Sequence, residues 1–208
     1  MAIEAQGLLL ELGTGTGGAK TITGITQAAI CQVTSVAHGL SPGDVGTFAA
    51  IVGMTELNGQ TEMIIAKEDD ELFFDLDSSG YTAYTSGGTF TPVSWTAIGE
   101  VHDTDGPGGS ASVIDVTHLQ STAKEKMIGL MDEGQLSLSV NWVPGNAGQA
   151  ALQTARSSRA LKNIRLTYSD GTIQTFSAYV LNFSVAGAVD DKVSGSITLE
   201  ISGVVTTT

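Results

Sequence analysis

Residues 135–143, QLSLSVNWV, decide the fold class because apolar and polar side chains alternate from Gln135 to Trp142. This period of two is typical of an antiparallel strand with one buried and one exposed face. We expect the core side to consist of Leu136, Leu138, Val140 and Trp142. The opposite side is polar and consists of Gln135, Ser137, Ser139 and Asn141.

The sequence that follows continues this pattern. Apolar residues alternate over 164–168, and Ser169-Asp170-Gly171 predicts a hairpin turn into a strand over 172–180. After Val180 the apolar positions change parity, which predicts a bulge. A last strand alternates over 196–202. Together these strands predict an all-β fold with one short helix, built as a two-sheet β-sandwich or barrel.

The one predicted helix begins after Pro144-Gly145. Asn146 can cap its first turn, and Gln149 stands three residues later as the reciprocal partner of a capping box. Four basic residues follow at and beyond its C-terminal end: Arg156, Arg159, Lys162 and Arg165. They either form a solvated cluster that complements the helix dipole or contact an acidic surface of another copy.

Residues 100–134 are the least regular part of the second half. Glycine and proline stand at the start, charges stand in the middle, and no clean period is visible. Because so long a loop in a compact domain is usually functional, we predict a long contact arm here.

Composition limits the classes of function. The 208 residues include 22 acidic and 9 basic residues, a net charge of −13, whereas proteins that bind nucleic acid independently of sequence are basic. No apolar run approaches the roughly 20 residues of a membrane span, so no membrane contact is expected.

Residues 21–92 form a segment in which short predicted strands alternate with turn signals. Strands are predicted over 29–36, 46–51, 60–66 and 72–76, and residues 22–92 contain nine acids against the single base Lys67. We predict a small β-barrel-like domain, called the inserted segment below, within a discontinuous domain of residues 1–20 and 93–208.

The glycine-rich stretch GTGTGGAK, residues 13–20, precedes the inserted segment. It is not a phosphate-binding loop, because Ala19 separates Gly18 from Lys20 and β-branched residues follow where a helix should begin. We predict a flexible connector, with Ser86-Gly87-Gly88 as the second hinge of the inserted segment.

No pattern predicts catalysis, a cofactor or a metal ion. Asp103, Asp105 and Gly106 lack the further ligands of a calcium loop, and the three histidines lack zinc-site spacing. A nucleophile motif is missing as well. We therefore expect a non-enzymatic protein that needs no cofactor.

Four stretches of the second half, in this order, resemble the lambda-like tail tube proteins of long-tailed phages. They are residues 98–121 (IGEVHDTDGPGGSASVIDVTHLQS), 129–152 (GLMDEGQLSLSVNWVPGNAGQAAL), 164–185 (IRLTYSDGTIQTFSAYVLNFSV) and 189–203 (VDDKVSGSITLEISG). Residues 5–13 (AQGLLLELG) resemble the start of that family, and residues 92–99 its next strand. Within the inserted segment, residues 38–61 and 75–90 resemble a small β-module of phage proteins that is likened to a domain of ubiquitin-activating enzymes.

The resemblance implies a virion structural protein of the phage tail. Its subunits would polymerise as stacked hexameric rings around a tape measure protein, meet tail terminator and tip proteins, and form a conduit through which DNA passes without specific binding. Assembly would occur in the host cytoplasm. A carbohydrate-binding or adhesin-like β module is the alternative, although only 6% of the residues are aromatic.

Two sets of site residues follow from this resemblance. Candidates for inter-ring contact through the arm are Asp103, Asp105, Asp115, Thr117, Lys124 and Lys126. Candidates for the lumen wall are Asp132, Glu133, Gln135, Ser137 and Ser139. The basic residues after the helix are candidates for contact between subunits.

Overall fold

The computed structural model describes residues 6–208, so residues 1–5, the first part of the predicted 1–20 portion, lie outside the described range. The strands are β1 (Leu9–Thr16), β2 (Lys20–Thr21), β3 (Gly24–Ile25), β4 (Cys31–Thr34), β5 (Val45–Val52), β6 (Thr61–Lys67), β7 (Glu71–Phe74), β8 (Ser86–Ala97), β9 (Val101–Asp105), β10 (Ser110–Asp115), β11 (Lys126–Asp132), β12 (Gln135–Asn141), β13 (Lys162–Thr167), β14 (Ile173–Ala186) and β15 (Ser194–Thr207). The helix α1 spans Ala147–Ser158, and a 3-10 helix spans Thr55–Leu57.

Thirteen of the described strands share one antiparallel sheet. Their order is β3-β4-β7-β6-β5-β8-β1-β13-β14-β15-β12-β9, with β2 paired to β8, while β10 and β11 form a separate two-stranded sheet. The predicted all-β fold class with one helix is confirmed.

The buried apolar side chains form two clusters. The large core contains Leu136, Leu138 and Val140 of β12 together with Ile164 and Leu166 of β13. Strands β12 and β13 thus contribute to the same core, and each also has a face that points away from it. The small core lies in the inserted segment, where Phe48, Phe74 and Phe90 have ring centroids 5.0–5.3 Å apart.

Strand β14 is bent as the parity change predicted. Its pairing with β15 shifts register between Val180 and Asn182, and Leu181 between them is exposed. Phe183 returns to the core and makes an edge contact with the half-buried Trp142, their centroids 5.5 Å apart. The bulge therefore lets one long strand contribute side chains to the core both before and after Leu181.

The prediction of a flexible glycine connector is wrong. Residues 9–16 form β1, which pairs with β8 through Thr16 opposite Val93, and the Gly17 amide donates to the Pro92 carbonyl. The glycines allow close packing, since a Cβ at Gly13 would lie 2.7 Å from Val93 Cγ1. The chain thus enters and leaves the inserted segment along one two-stranded ribbon. The predicted second hinge at residues 86–88 is likewise the start of β8, paired with β5.

Helix α1 begins as predicted, but the side chain of Gln149 has other hydrogen-bond partners than the predicted ones. Asn146 Oδ1 accepts from the Gln149 amide at 3.0 Å, which confirms the cap. The Gln149 side chain is not a capping-box partner. It is fully buried, donates to the Gly99 and Asn141 carbonyls and accepts from the Val143 amide. The buried amide thereby ties α1 to the two chain segments next to it.

Candidate assembly surfaces

A polar face covers the side of β9, β12, β15 and β14 that points away from the large core. On β12 it is formed by Gln135 and Ser137, which are exposed, and by the half-buried Ser139. The register places Thr198 and Ser196 of β15 beside the two serines. This face is hydroxyl-rich and lies directly behind the buried side chains of β12.

Acidic side chains are the only fully charged groups on this face. Asp105 and Asp103 of β9 lie opposite the two β12 serines, and Gln135 Nε2 donates to Glu200 Oε2 at 2.7 Å. None of the four strands contains lysine or arginine. Asp103 and Asp105 therefore lie in the main sheet, beside the polar β12 side chains, and not on the projecting part of the predicted arm.

The other two lumen candidates lie at the junction between β11 and β12. Asp132 is exposed, ends β11, and accepts from the Gly134 amide at 3.0 Å. Glu133 is half-buried. Both are adjacent in sequence to the polar face but stand at the root of the hairpin described next.

A hairpin made of β10 and β11 projects from the main sheet, so the expectation of an irregular arm is wrong for these residues. Val113 lies opposite Ile128, and Ile114 lies opposite Met127. Because neighbouring pairs point to opposite faces, both faces of the hairpin are apolar. This is why no period of two is visible in the sequence.

Most of these apolar side chains are uncovered. Eight of the twenty large hydrophobic residues exposed in residues 6–208 belong to this hairpin and its turn: Val113, Ile114, Val116, Leu119, Met127, Ile128, Leu130 and Met131. Exposed patches of this kind are rare in monomeric proteins and mark interaction surfaces. The residues predicted from the sequence for contact through the arm are all polar, because the sequence alone does not show which apolar side chains stay exposed.

The predicted polar arm residues lie near the tip of the hairpin. Asp115 lies opposite Lys126, and Lys124 is exposed in the turn. Hydrogen bonds from the Thr117 hydroxyl and amide lower the pKa of the Asp115 carboxyl. The hydrogen bond from the Thr117 amide to Asp115 Oδ1 is 2.9 Å long and closes a local turn at the end of β10.

Glycines fix the root of the hairpin. Gly134 has φ of 71°, and a Cβ there would lie 2.5 Å from the Gly108 carbonyl oxygen. A Cβ at Gly109 would lie 2.1 Å from the Asp132 carbonyl oxygen. The two chain segments therefore cross at a distance that only glycine permits.

The four basic residues do not form one surface. Arg156 Nη1 donates to the Phe183 carbonyl at 3.5 Å, Arg159 is the exposed C-cap of α1, and Lys162 is half-buried. Arg165 points to the face of β13 opposite Ile164 and is paired with carboxylates of its own chain. It therefore differs from the other three in both position and partners.

Among the unpaired strand edges of the main sheet within residues 6–208, two belong to strands of the polar face. Strand β9 is the last strand and pairs only with β12. The second half of β14 pairs only with β15, because β13 ends where Lys162 meets Ala178. Open edges of this kind are templates for pairing with another chain.

Residues 6–208 contain no cluster of three or more His, Cys, Asp or Glu side chains that could hold a metal ion. In the same range, none of the helices has the length and apolar character needed to cross a bilayer.

An open-edged sheet with an uncovered apolar hairpin defines the chain as a protein that associates with other chains. Residues 77–208 match the lambda phage tail tube protein family, and because this match covers more than half of the chain, the protein belongs to that family. It is a structural, non-enzymatic component of a phage tail that assembles into a tube. Residues 26–94 are similar to the FCCH domain of the ubiquitin-activating enzyme E1. No curated protein matches the chain.

Proposed function

We propose that the chain forms hexameric rings that stack into the tail tube of a long-tailed phage. The tube assembles in the host cytoplasm around a tape measure protein and ends at terminator and tip proteins. It then serves as the conduit for DNA. The observation that carries this proposal is the combination of an acidic polar face on the main sheet with a separate, uncovered apolar hairpin.

The polar face of β9, β12, β15 and β14 is proposed as the wall of the lumen. Asp103, Asp105 and Glu200 supply negative charge on strands that lack lysine and arginine. DNA within about 8 Å of this wall lies inside the Debye length at physiological ionic strength, so repulsion is not screened away. The hydroxyl groups of the neighbouring serines keep the wall hydrated. DNA would therefore pass without adhering.

Ring closure is proposed to join β9 of one copy to the free half of β14 in the next. Both edges belong to the four strands that carry the polar face, so pairing them extends one inner sheet around the ring. Tyr179, which lies on the same face as Glu200, and Leu181 in the bulge are exposed on the free half of β14. Joining unlike edges head to tail produces a closed ring when the rotation between neighbouring copies closes.

The hairpin is proposed as the contact between rings. It leaves the sheet at the start of β12, whereas the β14–β15 turn with exposed Val189 and the loop with exposed Val143 lie at the other end of β12. Head-to-tail stacking brings these unlike ends together. Because both faces of the hairpin are apolar, we expect it to sit between two copies of the next ring.

The inserted segment is proposed to be a separate domain on the outside of the tube. Its strands lie at the end of the sheet order opposite β9 and β12. It also packs beside Arg165, on the side of β13 that points away from the large core. We therefore expect the inserted segment to lie away from the lumen.

Electron microscopy of the purified chain at rising concentration tests the proposal. We expect rings and then tubes for the wild type and for Val36→Glu, which adds a charge at an exposed apolar site of the inserted segment. Leu130→Glu in the hairpin should stay monomeric or stop at single rings, with an unchanged circular dichroism spectrum. Tubes of normal length from Leu130→Glu would contradict the assignment of the hairpin, and a persistent wild-type monomer that binds glycans would favour an adhesin.

A further inference from the structure

Arg165 joins the inserted segment to the rest of the chain. Its Nε donates to Glu11 Oε2 at 2.7 Å, and its Nη1 donates to Asp44 Oδ1 at 2.8 Å. Glu11 belongs to β1, the strand next to β13, whereas Asp44 belongs to the inserted segment. One guanidinium therefore bridges two carboxylates from the two parts of the molecule.

The surroundings of Arg165 hold it in one position. The guanidinium carbon lies 4.6 Å from the centre of the Trp95 ring, which supports it from one side. The side chains of Arg165, Glu11 and Asp44 are only 18%, 13% and 20% exposed. Pairs shielded in this way are less weakened by salt than surface pairs. The planar guanidinium also fixes the directions of its two hydrogen bonds.

The partner on the inserted segment is rigid as well. Asp44 Oδ2 accepts from the Ser41 amide at 2.9 Å, and the Asp44 amide donates to the Ser41 carbonyl, so the carboxylate that meets Arg165 also closes its own turn. In the same turn a Cβ at Gly43 would lie 3.1 Å from Ile173 of β14. The turn over residues 41–44 therefore rests directly on β14.

We propose that Arg165 is a clamp that fixes the orientation of the inserted segment relative to the rest of the chain. The ribbon of β1 and β8 is one attachment, and a two-stranded ribbon can still twist and bend. The contact of Arg165 with Asp44 is a second attachment, made from β13 beside the ribbon, and two attachments on different strands define an angle. This inference goes beyond the proposed function, since it concerns the single chain and holds whether or not rings form.

Distance measurements between two spin labels on the monomer test the clamp. We place one label at Asp69→Cys on the β6–β7 turn and the other at Gln153→Cys on α1, both exposed positions. The native Cys31 is buried, and burial raises the pKa of its thiol, so it does not compete for the label. The otherwise unchanged chain should give one narrow distance distribution.

Asp44→Asn removes the charged contact with Arg165 but keeps an oxygen that can accept from the Ser41 amide. We expect the distribution to become about twofold wider, because domains without a fixed contact move relative to each other. Arg165→Lys, which keeps the charge but cannot reach both carboxylates in the same geometry, should widen it too, and it replaces Asp44→Asn if that variant does not fold.

Glu11→Gln is the matched control. It removes the charged contact with the same guanidinium but keeps an oxygen that can accept, and this contact joins β1 to β13 and does not reach the inserted segment. The width should stay close to that of the parent. Native widths for both Asp44→Asn and Arg165→Lys would overturn the clamp, as would an equal broadening with Glu11→Gln.

Discussion

Strand β12 and the hairpin that precedes it contain the same kinds of apolar residue in opposite environments. Leu136, Leu138 and Val140 of β12 are at most 1% exposed, whereas Ile128 and Leu130 of β11 are 74% and 89% exposed. Only Glu133 and Gly134 separate the two strands. The difference lies in what covers them: β12 has a core within its own chain, and the hairpin has none. The chain thus carries one apolar surface that is buried on folding and another that stays exposed.

The largest expected effect distinguishes these two surfaces by stability. Leu138→Ala should lower the free energy of unfolding by about 3 kcal/mol, because a fully buried leucine leaves a cavity. Leu130→Ala should change it by less than about 0.5 kcal/mol in the monomer. Denaturant unfolding of both variants at low protein concentration measures the difference, and equal losses would place the hairpin in the fold of the monomer.

Removal of the hairpin should affect assembly more than stability. Replacing residues 110–132 by two glycines should leave the melting temperature of the monomer within about 4 °C of the wild type, a change of roughly 1 kcal/mol or less. The same variant should form no tubes, which sedimentation can measure. A much larger fall in melting temperature would mean that the hairpin supports the monomer fold.

Positive charges added to the polar side of β12 should have a weaker but specific effect on the retention of DNA. Ser137→Lys with Ser139→Lys should leave assembly intact while tubes begin to retain short duplex DNA at low salt, because the wall gains cations. Retention should fall steeply as salt rises. The control is Lys124→Ser with Lys126→Ser in the hairpin, which removes two cations elsewhere and should not retain DNA. Equal behaviour of the two variants would argue against a lumen at this face.

The smallest expected effect concerns the local order of the hairpin tip. Hydrogen bonds from Thr117 lower the pKa of Asp115 below its ordinary value of 3.8, so the folded tip favours the ionised carboxyl. The stabilisation is therefore present above the ordinary pKa and is lost as pH falls through the lowered one. Amide exchange or shift changes at Thr117 should show this loss below about pH 4. Asp115→Asn should remove the pH dependence, and β12 amides should not respond.

Much of the main sheet could be predicted because its signals are local. The alternation in β12, the Asn146 cap and the parity change near Leu181 each lie within a few residues of what they specify. The hairpin strands were missed because apolar side chains occupy both faces, which removes the alternation on which strand prediction depends. The glycine stretch was mistaken for a connector because glycine normally weakens strands.

The contacts of Arg165 could not be predicted from local pattern. Its partners Glu11 and Asp44 are 154 and 121 residues away in sequence, so only the completed fold brings them together. The burial of Gln149 depends in the same way on the carbonyls of Gly99 and Asn141. The alternation in β12 predicted which of its side chains are polar and exposed, but no local pattern predicted the exposed apolar side chains of the hairpin.

The paired course of β1 and β8 has a consequence for engineering. Since the two strands run side by side, the points at which the chain enters and leaves the inserted segment, near Thr16 and Val93, are neighbours in space. Any module whose own ends lie close together can be grafted there without altering the strands on either side, as is common where domain insertion succeeds. Each subunit of a tail could in this way display an enzyme or an antigen at regular intervals along a filament.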